Sequence, residues 1–242
     1  FLFGKPLLDS FVFRTIENTD TLLAATLAGN VDMTVTGLSL DQAMQLKDKK
    51  DFNQIPYFTP SMTWDHLDLN IDNPVLSDKR IRQALLHAID RKGISDELYY
   101  GLNPVSDSWL PPKHPAFNEE NITKYDYNPE KAKQLIEEAG WTMNEKTGFY
   151  EKDGKPLSIT FITSAGNKLR EQMQAVISTN WKTVGVEVIT KNEQSTTLFT
   201  LTLKERKFNG PTAIMFAWVM GPQSDFYSLV NSKQIPTQSN GW

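Results

Sequence analysis

The chain has 242 residues, enough for one large domain or two small ones. With 25 basic and 29 acidic residues its net charge is −4, which argues against nucleic acid or an anionic membrane as the main partner. There is no cysteine, which excludes disulfides, a thiol nucleophile and a cysteine-based zinc site. The sequence has no run of about 18 apolar residues, the minimum for a helix that spans a bilayer.

The first 60 residues are predicted to form a β-α-β-α unit. The pattern predicts, in chain order, a strand over 9–16, a helix capped by Asn18 or Thr19, a strand over 31–35, and a short helix that opens at Ser39. Gly29 is the expected end of the first helix, and Ser39 and Gln42 have capping-box spacing. A unit of this size is too small to be comfortably stable alone.

The pattern from residue 61 onward predicts α/β architecture. The predicted elements are a strand over 64–71, a helix with an apolar stripe from Ile81 to Ile89, a helix capped by Asn128, a strand over 157–162, a helix over 167–184, a strand over 186–190, a helix near 196–206 and a strand near 212–218. The proline-rich stretch 101–127 is expected to be irregular. In such folds ligand sites are expected at the carboxyl ends of the strands.

The sequence carries no motif typical of an enzyme. It lacks the G-x-S-x-G, phosphate-loop, dinucleotide-binding and H-E-x-x-H patterns. Its three histidines, His66, His87 and His114, have no metal-binding spacing, although a nickel ligand at His114 is a minor alternative. No enzyme activity, cofactor or metal site is predicted, while spacing alone leaves open a triad assembled in space.

Five stretches, in order, resemble the peptide/nickel-binding family of periplasmic solute-binding proteins, the extracellular solute-binding proteins of family 5. They are TLLAATLAGNVDM (21–33), DLNIDNPVLSDKRIRQALLHAIDRKGI (68–94), WLPPKHPAF (109–117), YDYNPEKAKQLIEEAGW (125–141) and AWVMGPQSDFYSLVNSKQIP (217–236). The likeness implies a type II periplasmic-binding-protein lobe of the peptide-binding cluster, with mixed sheets flanked by helices. It also implies that 1–60 is an incomplete part of a first lobe and 61–242 most of a contiguous second lobe, so that the chain is a piece of a longer protein.

The resemblance further implies a function. Such a protein captures peptides or peptide-like solutes outside the cytoplasmic membrane and delivers them to the membrane permease of an ABC transporter. Alternatives are a receptor for a nickel complex or another small solute, and a sensory binding module. The expected location is the periplasm, or the cell surface through a lipid anchor, and nucleic acid is not an expected partner.

The resemblance points to a tryptophan-centred ligand site. Trp218 ends a predicted strand and is the favoured ligand contact, with a role in the core as the alternative. Met220 and Gly221 follow it, and Trp109 and Trp64 are weaker candidates. Many peptide-binding relatives have an Asp where Gly221 stands. Either Asp225 replaces that acid in binding an ammonium group or the ligand has no free amino terminus, and Asp225 could instead cap a helix. Trp141 and Trp181 are expected in the core.

Overall fold

The computed structural model describes residues 7–16, 18–34, 38–47, 63–110, 114, 116–208, 210–219, 227 and 231–235. The chain divides into two compact units, Phe1–Pro60 and Ser61–Trp242. None of the helices among these described residues is long and apolar enough to cross a bilayer.

The first unit contains two helices, α1 (Thr19–Leu27) and α2 (Leu40–Lys47). Asn18 caps α1 by accepting a hydrogen bond from the Thr21 backbone N–H at 2.9 Å, and the chain leaves the helix through Gly29 at φ +72°. The Ser39 hydroxyl accepts from the Gln42 N–H, and the Gln42 side chain accepts from the Ser39 N–H. Both predicted helix starts, including the capping box, are confirmed.

The two strands predicted in the first unit are wrong for the residues that the structure describes. Residues 7–16 and 31–34 do not belong to a strand, and Val35 lies outside the described residues. The side chain of Phe13 is 86% exposed. An alternating apolar pattern gives a strand only where a neighbouring strand supplies hydrogen bonds and an apolar surface. The described part of this unit supplies neither.

The second unit contains both strands and helices. Its elements are β1 (Thr63–Leu69), α3 (Pro74–Ser77), α4 (Lys79–His87), α5 (Arg91–Leu98), α6 (Pro129–Glu138), β2 (Thr142–Asn144), β3 (Phe149–Lys152), β4 (Lys155–Pro156), β5 (Ser158–Ser164), α7 (Lys168–Thr183), β6 (Glu187–Glu193), α8 (Ser195–Thr197) and β7 (Thr212–Val219). Asn73, Asp78 and Asn128 cap α3, α4 and α6 with their side chains. Apart from a 3-10 turn at Glu119–Asn121, the described part of 101–127 is irregular, as predicted.

The central sheet is mixed, with strand order β1-β7-β5-β6. Strands β5, β6 and β7 are parallel, whereas β1 is antiparallel to β7 with Trp64 opposite Trp218. A second, small antiparallel sheet has the order β2-β3-β4. This architecture agrees with the predicted α/β class.

The main core contains residues of α4, α6 and α7, in which α7 packs against the central sheet and α4 packs against α6. Trp181 of α7 is fully buried there, and its indole Nε1–H donates to the Leu85 carbonyl of α4 at 2.9 Å. That carbonyl lies in the last turn of α4, where helical carbonyls lack a partner within the helix. Trp141 is partly buried against the same core. The core role predicted for Trp181 is confirmed, while Trp141 lies at the core's edge.

Two local features differ from the prediction. The helix expected near 196–206 is a single turn, α8, that continues as a wider π-helix over Leu198–Leu203. Its buried Thr202 donates a hydrogen bond to Glu193 of β6, which ties this wider turn to the sheet. The pattern also gave no indication of the small sheet at 142–156, whose short strands are joined by turns through Gly148 and Gly154, both at positive φ.

Candidate functional site

All four strands of the central sheet have one end at the same edge of the sheet. The parallel strands β5 and β6 end there at Ser164 and Glu193, which pair with each other. Strand β7 ends there at Val219, and β1, running the opposite way, begins there at Thr63, which pairs with Val219. This is the carboxyl edge of the parallel strands, where α/β proteins bind ligands.

Four rings form an aromatic face on β1 and β7, which we define as Trp64, His66, Phe216 and Trp218. Trp64 is opposite Trp218 and His66 is opposite Phe216, so all four side chains leave the same side of the sheet. The ring centroid of His66 lies 4.4 Å from that of Trp64, 4.4 Å from that of Phe216 and 6.5 Å from that of Trp218. The tryptophans lie nearest the carboxyl edge.

The aromatic face is partly open and partly packed. Phe216 is buried in a small core with Ile162, Leu198 and Ile214, and Trp218 packs against that core while remaining partly exposed. Trp64 is also partly exposed. Two partly exposed indole rings at the ligand edge of a sheet offer a rigid apolar surface.

A charged network occupies the opposite side of the sheet at the same edge. Arg170, in the first turn of α7, donates from Nε to Asp65 Oδ1 at 3.0 Å and from its terminal nitrogen to Ser164 Oγ at 3.1 Å. The Tyr99 hydroxyl lies 3.5 Å from Asp65 Oδ2, and burial, aided by this carboxylate, raises the pKa of Tyr99 well above its ordinary value. These contacts join the starts of β1 and α7 to the end of β5, which stiffens the edge.

Glu193, at the end of β6, is a buried carboxylate with two partners. Lys191 Nζ lies 2.7 Å from its Oε1, and the Thr202 hydroxyl donates to its Oε2 at 2.6 Å. Burial by itself raises the pKa of Glu193, but the hydrogen bonds from Lys191 and Thr202 outweigh it, so the pKa lies below the ordinary value. The carboxylate therefore holds the π-helix against the edge in its charged form.

Replacing Glu193 by glutamine should make the stability of the folded protein depend less on pH in the acid range. Since the folded-state pKa is lowered, the stabilisation is present above the unfolded-state pKa of about 4.3 and is lost as the pH falls through the folded-state value. We expect Glu193→Gln to lower the melting temperature at pH 7, with the difference from wild type shrinking below about pH 4. Thermal melts of the full-length protein from pH 7 to pH 3 measure this. The matched control is Glu145→Gln in an exposed turn, and a difference that stays constant over that pH range contradicts the assignment.

The structure brings together two of the six predicted site residues, Trp64 and Trp218. Trp109 lies in the irregular stretch 101–127 and is 38% exposed. Three of the others, Met220, Gly221 and Asp225, lie outside the described residues. The two roles predicted for Asp225, a ligand contact or a helix cap, therefore both stay predictions. Their roles, like those of the three tryptophans, remain predictions.

Within the described ranges, no cluster of three or more His, Asp or Glu side chains is arranged to hold a metal ion. His114 is buried, and its Nδ1 accepts a hydrogen bond from the Ala116 N–H at 3.1 Å, which places it in a turn. His87 bonds through Nδ1 to the Asp126 carbonyl at 2.9 Å and packs against Tyr125. Both contacts fit structural roles.

Comparison with known proteins identifies the family. Residues 2–237 match the family model described as bacterial extracellular solute-binding proteins, family 5 Middle. The chain belongs to this family. It is 29% identical over 240 residues to the oligopeptide-binding protein AppA of Bacillus subtilis (strain 168), covering 96% of this chain and 42% of that protein. It is 25% identical over 240 residues to the nickel-binding periplasmic protein of Escherichia coli (strain K12), covering 98% and 44%.

A solved structure of an oligopeptide-binding protein has the same fold. The oligopeptide-binding protein from Thermus thermophilus, complexed with a pentapeptide, matches 93% of this chain and 41% of its own, with a TM-score of 0.74 and 31% identity. The predicted fold, an α/β lobe of the type II periplasmic peptide-binding proteins, is confirmed. The chain spans less than half the length of these relatives.

Sequence reasoning missed three residues near the carboxyl edge of the central sheet: His66, Asp65 and Arg170. The alternation in TWDHLDL predicted the strand but not which side its histidine faces or what lies opposite. Asp65 and Arg170 are 105 residues apart in the sequence, and no local pattern joins them. A partial signal was present, because His66 lies two residues from Trp64 and shares its side of any strand.

Proposed function

We propose that the full-length protein is the substrate-binding component of an ABC importer, which captures peptides or peptide-like solutes outside the cytoplasmic membrane and delivers them to a permease. The observation that carries the proposal is the pair of partly exposed tryptophans, Trp64 and Trp218, directly opposed at the carboxyl edge of the sheet. The names of an oligopeptide-binding relative and of a peptide complex in the family support the substrate class.

The edge suits binding without chemistry. Indole rings supply a large apolar contact of low conformational cost, which tolerates varied side chains. The Asp65–Arg170 pair, whose side chains are 30% and 16% exposed, is satisfied internally and serves as a rigid support rather than as a reacting group. We therefore propose a binding protein and not an enzyme, in which affinity comes from apolar contact and hydrogen bonds.

The unit Ser61–Trp242 is proposed to be most of the second ligand-binding lobe, and Phe1–Pro60 part of the first. In a two-lobed receptor the ligand is enclosed by hinge closure, and the closed form is what a permease recognises. The proposed location is the periplasm or, through a lipid anchor, the outer cell surface. The family's description as extracellular supports both.

Native mass spectrometry of the full-length protein, purified from its own host, tests this function. A ladder of co-purifying peptide masses is the expected result, because receptors that bind by apolar contact and main-chain bonds accept many sequences. A single metal complex would favour the alternative of a nickel-type receptor, which the nickel-binding relative makes worth testing. A protein that retains no ligand and binds none from a mixture of peptides three to six residues long would refute the peptide assignment.

A further inference from the structure

The connection between β6 and β7 supports the aromatic face from the side. Its π-helix begins with Leu198, which is fully buried in the small core together with Phe216. The next ring, that of Phe199, stands edge-on to Phe216 with the centroids 5.5 Å apart. Phe216 in turn meets the ring of Trp218 edge-on at 5.8 Å. The position of the π-helix therefore sets the surface on which Trp218 rests.

A buried hydrogen bond ties this π-helix to β6. The Thr202 side chain lies in the π-helix, and its hydroxyl donates to Glu193 Oε2 at 2.6 Å. Both residues are buried, Thr202 at 5% exposure and Glu193 at 7%. A buried carboxylate oxygen that loses its donor costs its full hydration energy, so the structure around it has to shift or admit water. The bond therefore favours one position of the π-helix over others.

We infer that Glu193 is a positioning residue for ligand binding: through Thr202 it fixes the π-helix, and the π-helix fixes Trp218 through the small core. The inference rests on the proposed function and deepens it, because it assigns part of the affinity to a bond that lies beneath the ligand surface. Both side chains are too little exposed to contact a solute themselves. Their effect on affinity is through the rigidity of the contact, since a ring held in place before binding loses less entropy when the ligand arrives.

Removal of the Thr202 hydroxyl tests the bond. Thr202→Val keeps the shape of the side chain and removes the donor, so ligand affinity should fall about fivefold, within the range for residues that act on a site through packing. Thr202→Ser keeps a hydroxyl at this position and should restore most of the affinity. In a Trp218→Ala background the loss caused by Thr202→Val should shrink to less than about twofold, because the group that the bond positions is then absent.

An exposed ion pair on the same connection provides the matched control. Arg206, which follows the π-helix, pairs with Asp72, and the two side chains are 37% and 68% exposed. Exposed pairs of this kind contribute little to the free energy of folding. Asp72→Asn also loosens the connection, but away from the small core, and should leave ligand affinity unchanged.

The experiment uses the full-length protein, freed of ligand by unfolding and refolding, with alanine peptides of three to six residues as probes. Calorimetry gives the dissociation constants, at a temperature where thermal melts show each variant to be folded. If Thr202→Val does not fold, Glu193→Gln takes its place in the cycle. Its amide keeps an acceptor for Thr202 but loses the charge, so a smaller loss of affinity is expected, again only when Trp218 is present.

Weakened binding that depends on Trp218 and is restored by Thr202→Ser supports the inference. Equal affinity of wild type and Thr202→Val overturns it, and so does an equal loss with and without Trp218. A loss in Asp72→Asn as large as that in Thr202→Val also overturns it, because any loosening of the connection would then suffice. All three of these results leave the peptide receptor intact. Failure of wild type to bind any of the peptides overturns the proposed function and this assignment together.

Discussion

Replacing Trp181 by alanine should lower the free energy of unfolding by about 3–5 kcal/mol, the range for removal of a large buried aromatic side chain. Trp181 is fully buried, its ring centroid lies 5.2 Å from that of Phe161, and its indole supplies the hydrogen bond that the Leu85 carbonyl lacks within α4. The substitution leaves both a cavity and an unsatisfied carbonyl. Urea unfolding of the full-length protein, followed by circular dichroism, measures the loss.

Two further variants of the full-length protein separate the two contributions. Trp181→Phe keeps most of the apolar volume and should cost less, about 1–3 kcal/mol, because the Leu85 carbonyl still loses its partner. Ile71→Ala, at a side chain that is 59% exposed, should change the unfolding free energy by less than about 0.5 kcal/mol. If Trp181→Ala had the same free energy of unfolding as wild type, that result would show that α7 does not anchor α4.

Replacing Trp218 by alanine should weaken ligand binding by the full-length protein roughly thirtyfold, which corresponds to the ~2 kcal/mol of an aromatic anchor. Trp218 is partly exposed at the carboxyl edge and packs beneath on the small core around Phe216, so the ring is held in place before ligand arrives. Pre-ordering of this kind reduces the entropy cost of binding. Calorimetry with the peptides that co-purify with the protein measures the change.

The opposed tryptophans should act together. In a double-mutant cycle, Trp64→Ala and Trp218→Ala should show a combined loss smaller than the sum of the single losses, because directly opposed side chains couple. Tyr127→Ala, at an aromatic residue outside the central sheet that is 47% exposed, is the control and should leave affinity unchanged. Unaltered binding by Trp218→Ala would assign that residue to the core alone.

Local sequence rules predicted most elements of this fold. Helix starts at Asn18, Ser39 and Asn128 were predictable because a capping side chain bonds to backbone only two or three residues away. The strands of the central sheet were predictable from short apolar runs or, in β1, from alternation along the sequence. The strand predicted over 9–16 is not formed. Its alternating pattern suits a strand only when a neighbouring strand pairs with it, and the described residues of the first unit contain no such strand.

The candidate site was predictable only in part. Family resemblance pointed to Trp218, and Trp64 was chosen only as a weaker candidate. Their direct opposition depends on the register between β1 and β7, which no local pattern encodes. For the same reason the unpaired nitrogens of His66 and the bond between Arg170 and Asp65 came from the structure alone. The π-helix over Leu198–Leu203 has a wider turn than the regular helix that apolar periodicity predicts, so that pattern could not indicate it.

The antiparallel pairing of the first and last strands of the central sheet has a consequence for biogenesis. Thr63 pairs with Val219, so nearly the whole second unit must be synthesised before β1 has a partner. Contacts between residues so far apart in the chain form late and slow folding. Helices α4, α6 and α7 can associate earlier, while the strand that carries Trp64 and His66 waits unpaired. The edge that carries these rings is therefore completed only after β7 has been made, and a polypeptide that stops before β7 cannot form it.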